Sequence, residues 1–157
     1  MTAQEKSLLE QVAPPVPMDT MGLGTPAVFK GTLRIKVSLD NVWRRFDVPS
    51  TATLEDLAWK ILGAYRFEND HLFAFRVPSP TGEMLEYTHY AMDEGLPAAE
   101  TTLGEVPFRV GQKSVFHYDF GADWEFEVLI ESMEPRVSKS IKLIESEGKA
   151  PKQYESW

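Results

Sequence analysis

The 157-residue sequence contains no cysteine, which excludes disulfides, thiolate metal sites and a cysteine nucleophile. It has only three histidines, His71, His89 and His117, and their spacing matches no metal-binding motif. No run of about 18 apolar residues is present, so we expect no membrane-spanning helix and no membrane partner. A Gly-rich phosphate loop and a nucleophile elbow are also missing. We therefore expect a soluble cytoplasmic protein without a cofactor or a metal site.

Positive charge is scarce, because 16 lysines and arginines oppose 24 acidic residues and the net charge is −8. Such a balance opposes long-range attraction to nucleic acids and to anionic lipids. The charges are unevenly distributed, however. Residues 30–45 contain five cations and one acid, whereas residues 83–105 contain six acids and no cation. The pattern is typical either of two differently charged solvated faces or of a polarised surface that orients a partner.

The first 27 residues differ in composition from the rest of the chain. Residues 2–12 are compatible with a short helix, and the following segment, APPVPMDTMGLGTPA, contains four prolines and two glycines. Such a composition is typical of a flexible linker. We expect one ordered domain over residues 28–157, a length that fits a single hydrophobic core.

Three β-hairpins are predicted from the alternation of apolar and polar residues. In the segment TLRIKVSLD every second residue is apolar, and Asp40-Asn41 then provides a turn before the segment VWRRFDVP. A second hairpin surrounds the turn sequence at 79–82, and a third surrounds residues 121–123. The acidic segment between the second and third hairpins lacks strand periodicity, and we expect a loop there with one helical turn near Thr102.

One amphipathic helix is predicted after the first hairpin. Thr53 is placed to cap its N-terminus, and its apolar stripe consists of Leu54, Leu57, Ala58, Ile61, Leu62 and Tyr65. Antiparallel hairpins packed on one main helix make a single-domain α+β fold. The order of the elements favours a ubiquitin-like (β-grasp) arrangement.

The segment VFHYDFGADWEFEVLI, at residues 115–130, is compatible with a catalytic loop or with a tight turn. Gly121 and Asp123 are residue types that a chain reversal requires, and we expect positive φ at Gly121. Strand alternation puts His117 and Asp119 on one face and leaves Asp123 in the turn, which argues against a joint acid/base group. We interpret the segment as a turn first and as a candidate ligand-binding edge second.

Arg44 and Arg45 are neighbours on the second predicted strand, so their side chains should point to opposite faces of the sheet. We expect one of them to form a structural ion pair with Asp119 or Asp123. The alternative is a guanidinium fork that binds a carboxylate or phosphate group.

These motifs together resemble the plasmid pRiA4b ORF-3-like family, a set of plasmid, phage and chromosomal proteins of unsettled function. The resemblance runs from about Val28 to Tyr154, and its matching positions are Trp43, Arg44, Arg45, Val48, Pro49, Thr53, Leu57, His71, Leu72, Phe75, Tyr118, Asp119, Phe120, Gly121, Asp123 and Trp124. Two positions depart from the pattern: Phe126 stands where many relatives have His, and Ala122 where many have Asp. The alternation of residues 124–130 indicates that Phe126 faces the core.

Three functions are compatible with the sequence. We expect a non-enzymatic module that binds an unknown protein partner through a sheet edge or a charged face. A nucleic-acid-binding accessory role is the alternative, because the resemblance implies an occurrence on plasmids and mobile elements and the first hairpin is basic. The third is hydrolase-type acid/base chemistry at Asp119 and Asp123. The candidate functional surface comprises Arg44, Arg45, His71, His117, Asp119 and Asp123, and no residue is assigned as catalytic.

Overall fold

A computed structural model of the protein describes residues 28–154, so the short helix and linker predicted within residues 1–27 lie outside the described residues. The strands are β1 (Thr32–Leu39), β2 (Val42–Pro49), β3 (Phe73–Pro78), β4 (Met84–Thr88), β5 (Leu96–Pro97), β6 (Lys113–Tyr118), β7 (Trp124–Glu134) and β8 (Lys142–Glu147). The helix α1 (Leu54–Ala64) follows β2, and two short 3-10 turns, Ala98–Glu100 and Leu103–Glu105, follow β5.

The eight strands form one sheet in the order β5-β4-β3-β6-β7-β1-β2-β8. Every pairing is antiparallel except that of β4 with β5. The three predicted hairpins correspond to β1–β2, β3–β4 and β6–β7. The structure confirms a mixed α+β fold that is mostly sheet, with a single α-helix in residues 28–154. The ubiquitin-like arrangement is not confirmed, and β1 lies between β7 and β2, antiparallel to both.

The helix α1 begins as its sequence predicts. The Thr53 hydroxyl accepts the Asp56 N–H, and the Asp56 carboxylate accepts the Thr53 N–H, each at 3.0 Å. This reciprocal capping box satisfies two donors that a helix N-terminus otherwise leaves free. The apolar stripe of α1 belongs to the same buried cluster as the inward-facing residues of the central strands. No helix in the described part of the chain is long and apolar enough to cross a membrane.

The end of α1 is attached to the first hairpin by Tyr65. Its buried hydroxyl lies 2.9 Å from the Val37 carbonyl oxygen and 3.0 Å from that of Val42, so its proton is shared between two acceptors. Burial raises the pKa of Tyr65 to about 12, which keeps the hydroxyl a donor. The Phe126 ring packs 4.9 Å from the Tyr65 ring and is fully buried, as its place in the alternating pattern predicts.

The acidic segment between β4 and β6 covers one side of the core. Its two 3-10 turns bury Ala98 and Leu103, and the helical turn expected near Thr102 is the second of them. The Leu103 N–H donates to the Ala52 carbonyl oxygen at 2.8 Å, and the Gly104 N–H donates to that of Ser50 at 3.0 Å. These bonds fix the segment to the β2–α1 connection, so it serves as a cover for the core.

We expect Gly63→Ala to raise the free energy of unfolding by about 0.4–1 kcal/mol. A Cβ at this exposed helical position meets no atom within 4 Å, and alanine restricts the unfolded chain. Gly31→Ala should lower the free energy of unfolding by more than 1 kcal/mol, roughly, because its Cβ would collide with the Glu134 carbonyl oxygen. Urea titrations of both variants measure the two effects, and equal stabilities of the two variants would contradict this account.

Candidate functional site

The β6–β7 connection is a tight turn built on two aspartates. Asp119 and Asp123 have φ of 56° and 63°, and the Asp123 N–H donates to the Asp119 carbonyl oxygen at 2.6 Å. The Asp119 carboxylate also accepts the Ala122 N–H at 3.2 Å. The prediction of a turn is confirmed, but the expected positive φ at Gly121 is wrong. The two aspartates adopt the left-handed conformation instead, which aspartate tolerates better than most residues, and the Asp119 carboxylate supports the turn through its bond to Ala122.

The first candidate cluster joins His117 to Asp123. His117 lies on β6 opposite Glu125 of β7, and its Nε2 is 2.6 Å from Asp123 Oδ1. The prediction that Asp123 stays apart from His117 is therefore wrong. Strand alternation ends at Tyr118, and the two left-handed residues that follow return the Asp123 side chain to His117.

The His117 cluster has the composition of a metal site. One ligand atom each of His117, Asp123 and Glu125 lies within 4.8 Å of the others, and no further such group occurs in residues 28–154. One imidazole nitrogen and two carboxylates suit a divalent cation such as zinc. The His117 side chain is 12% exposed, and its Nδ1 is buried without a hydrogen-bond partner in the described chain. The second nitrogen therefore lacks the outer partner that normally orients a metal-binding histidine.

The second candidate cluster surrounds His71, just before β3. His71 Nε2 lies 3.3 Å from Asp119 Oδ2, 3.5 Å from Asp70 Oδ1 and 3.1 Å from the Tyr154 hydroxyl oxygen. Tyr154 donates to Asp70 Oδ2 at 2.8 Å. This bond favours the ionised carboxylate, so the pKa of Asp70 is lowered and that of Tyr154 is raised to about 12.

Tyr118 forms the inner wall of the His71 cluster. Its hydroxyl group accepts the Asp70 N–H at 2.9 Å and donates its proton to the Glu68 carbonyl oxygen. Burial raises the pKa of Tyr118 to about 12. His71 and Asp119 are among the residues that the sequence predicts for the functional surface, whereas Asp70 and Tyr154 are not. Asp70 and Tyr154 are 84 positions apart, so no local pattern connects them.

The two neighbouring arginines point to opposite faces of the sheet, as expected. Arg45 pairs with Glu131 at 2.7 Å and also with Glu145, and the hydrogen bond to Glu131 raises the pKa of Arg45 and lowers that of Glu131. The expected pair with Asp119 or Asp123 is therefore wrong. Lys36 of β1 pairs with Arg45 on one side and with Leu129 of β7 on the other. Arg45 is therefore level with the middle of β7 and not with the turn that precedes β7.

A groove of about 840 Å³ runs between α1 and β8. Its apolar lining residues include Phe46, Trp59, Ala64, Ile141 and Leu143, and its charged lining residues are Asp56, Lys60 and Lys139. Strand β8 pairs with β2 alone in the described part of the chain, and all six of its residues are exposed. The sequence predicted a sheet edge as a binding surface but did not indicate which strand would form it.

We expect Asp119→Ala to lower the free energy of unfolding by about 1 kcal/mol, because alanine tolerates positive φ poorly and loses the bond to Ala122. Asp119→Asn should cost less, since asparagine adopts this conformation more readily. Gly121→Ala should change stability by less than about 0.5 kcal/mol, because the nearest atom to its new Cβ is Asp119 Oδ1 at 3.6 Å. Thermal and urea unfolding test the three variants, and a large loss for Gly121→Ala would contradict the turn geometry.

We expect Tyr154→Phe to raise the pKa of Asp70 toward its ordinary value of 3.8, because the hydroxyl that favours the ionised form is removed. A depressed pKa stabilises the fold above the unfolded pKa, and this contribution is lost as the pH falls through the folded pKa. Carboxyl-carbon NMR titration between about pH 5 and 2 measures the change. Tyr90→Phe is the matched control, since Tyr90 is exposed, and an equal change in both variants would refute the assignment.

Three comparisons with known proteins agree with one another. The chain is 33% identical over 125 residues to the uncharacterized protein y4hQ of Sinorhizobium fredii, and the match covers 76% of this chain and 63% of y4hQ. The crystal structure of a protein of unknown function, MM3350 from Methanosarcina mazei Go1, is similar at a TM-score of 0.67 and 25% identity, over 78% of this chain and 72% of that chain. The family model described as plasmid pRiA4b ORF-3-like protein matches residues 28–153, and the chain belongs to this family.

Proposed function

We propose that the protein is a non-enzymatic binding module that receives an extended peptide segment of a protein partner along β8. The observation that carries the proposal is an open edge strand beside an apolar groove. One side of β8 is hydrogen-bonded to β2, and within residues 28–154 its other side has no strand partner. Free N–H and C=O groups on a sheet edge accept an added strand, while neighbouring pockets select its side chains.

The groove and the strand offer these two kinds of contact together. Leu143 pairs with Phe46 in the sheet, and both residues line the groove below Trp59 of α1. Leu143 and Ile144 are 49% and 40% exposed. Exposed apolar residues on an edge strand promote aggregation of an isolated protein, so their presence favours a surface that a partner covers.

The two edges of the sheet differ in a way that favours β8. The opposite edge, β5, consists only of Leu96 and Pro97, and proline has no N–H to donate to an added strand. A two-residue strand that contains proline is protected against edge-to-edge pairing. Strand β8 has six residues and no proline, so it offers the longer template.

The two alternative functions receive less support. Arg34 pairs with Asp47 at 2.8 Å and Arg45 pairs with glutamates, so two of the five cations in the first hairpin segment are neutralised before any phosphate could approach. Acid/base chemistry at Asp119 and Asp123 requires carboxylates that reach the substrate. The Asp119 carboxylate accepts the Ala122 N–H and lies 3.3 Å from His71 Nε2. The Asp123 carboxylate is held by His117, whose Nε2 lies 2.6 Å from Asp123 Oδ1.

Gly63 is a position from which a larger side chain can fill the groove, which provides the test. Gly63 lines the groove, and a Cβ placed there meets no atom within 4 Å. Peptides are selected by display against the pure protein, and the dissociation constant of the best one is measured by fluorescence anisotropy. We expect Gly63→Trp to weaken this binding by at least about tenfold, a loss of about 1.4 kcal/mol, and Gly63→Ala to leave it unchanged.

Hydrogen exchange locates the bound peptide. We expect the amides of β8 to become more protected when the selected peptide is present, because an added strand accepts their hydrogen bonds. Thermal unfolding shows whether Gly63→Trp remains folded. If folded Gly63→Trp binds as tightly as the wild-type protein, or if protection appears only outside β8 and α1, the proposal is wrong.

A further inference from the structure

Arg44 is a buried cation without an acidic partner in residues 28–154. The residue is 7% exposed, and its Nη1 donates to the carbonyl oxygens of Trp43 and Glu147 at 2.9 and 3.1 Å. Its Nε donates to the Ala64 carbonyl oxygen at 3.4 Å, and its guanidinium carbon lies 5.0 Å from the centre of the Tyr65 ring. Its Nη2 makes no hydrogen bond within the described part of the chain. Burying a charge is costly unless an opposite charge compensates it.

Arg44 opens onto a pocket of about 390 Å³ that has only cationic and neutral lining residues. Arg66, Lys149 and Lys152 are the other three cations, and no acidic residue lines the pocket. None of the four forms an ion pair with a described residue. Four cations that have no ion-pair partner among residues 28–154 surround one concavity and concentrate positive potential there, although the net charge of the chain is −8.

The structural role of Arg44 does not account for the whole pocket. Its bonds to carbonyl groups connect the end of α1 with β2 and β8, and the negative end of the α1 dipole offsets about half of one charge. The charges of Arg66, Lys149 and Lys152 are not used in these contacts. Within residues 28–154, Nη2 of Arg44 is a donor without an acceptor, and flexible lysines can add further hydrogen bonds to an anion.

We propose that this pocket binds the phosphate group of a small phosphorylated molecule. A phosphate monoester carries a charge of about −1.5 to −2 and three acceptor oxygens, which matches four cations better than a single carboxylate does. The lining residues of this pocket and of the proposed peptide groove overlap at Ala64 alone, so the two sites are separate. Loss of one binding activity therefore leaves the other open to measurement.

The test uses inorganic phosphate and glycerol 3-phosphate as probes of the isotope-labelled full chain, followed by NMR at constant ionic strength. We expect saturable shifts at the Arg44 side-chain Nε–H and at the backbone amides of Lys149, Ala150, Lys152 and Gln153, with chloride producing none. The double variant Lys149→Gln/Lys152→Gln should weaken phosphate binding by at least about tenfold. These lysines are chosen because substitution of Arg44 would also break its contacts with β8 and α1.

The double variant Lys30→Gln/Lys113→Gln is the matched control. It removes the same charge from exposed positions outside the pocket, so phosphate should bind to it as to the wild-type protein. The proposal is overturned if phosphate causes no saturable shift, or if the control weakens binding as much as the pocket variant. Binding to vesicles that contain phosphatidic acid, without binding to either soluble probe, would also overturn it, because the ligand would then be a lipid surface.

Discussion

The fold depends first on the burial of the apolar stripe of α1 against one face of the sheet. The helix residues and the inward-facing residues of the central strands form a single cluster. Each large side chain in that cluster contributes about 1.5–3 kcal/mol when it leaves water. The position of α1 also determines the functional surfaces, because one flank of the helix forms the groove beside β8 and its C-terminal end forms the pocket beside Arg44. Tyr65 fixes that end through its bonds to the first hairpin.

The β6–β7 turn illustrates how a local conformation creates longer-range contacts. Positive φ at Asp119 and Asp123 ends the alternation of β6 and directs two carboxylates to two different histidines. Asp123 meets His117 on the adjoining strand, while Asp119 meets His71 from the segment before β3. The turn therefore anchors two polar clusters at one end of the hairpin. These contacts with the histidines give the two aspartates a structural role that is separate from any role in ligand binding.

Much of the architecture could be predicted from the sequence. The three hairpins, the Thr53 cap, the apolar stripe of α1 and the inward position of Phe126 follow from periods of two and 3.6 residues and from turn chemistry. The family was also identifiable, because its motifs lie on these same elements. Gly121 shows a limit of such reasoning, since residue preference indicated a turn but assigned the left-handed conformation to the wrong position.

The segments that form the three hairpins and the helix are predictable from local patterns, because the choice between strand and helix depends on neighbours within a few positions. Which strands meet depends on the packing of the whole sheet. Arg45 and Glu131 are 86 residues apart, and His71 and Tyr154 are 83 residues apart, so their contacts depend on strand order and register. The same order left β8 at an open edge and placed Arg44 among cations from the segment after β8. A local pattern predicts which face of the sheet a side chain lies on. It does not predict which distant segment packs against that face, because the packing of the whole sheet sets that pairing.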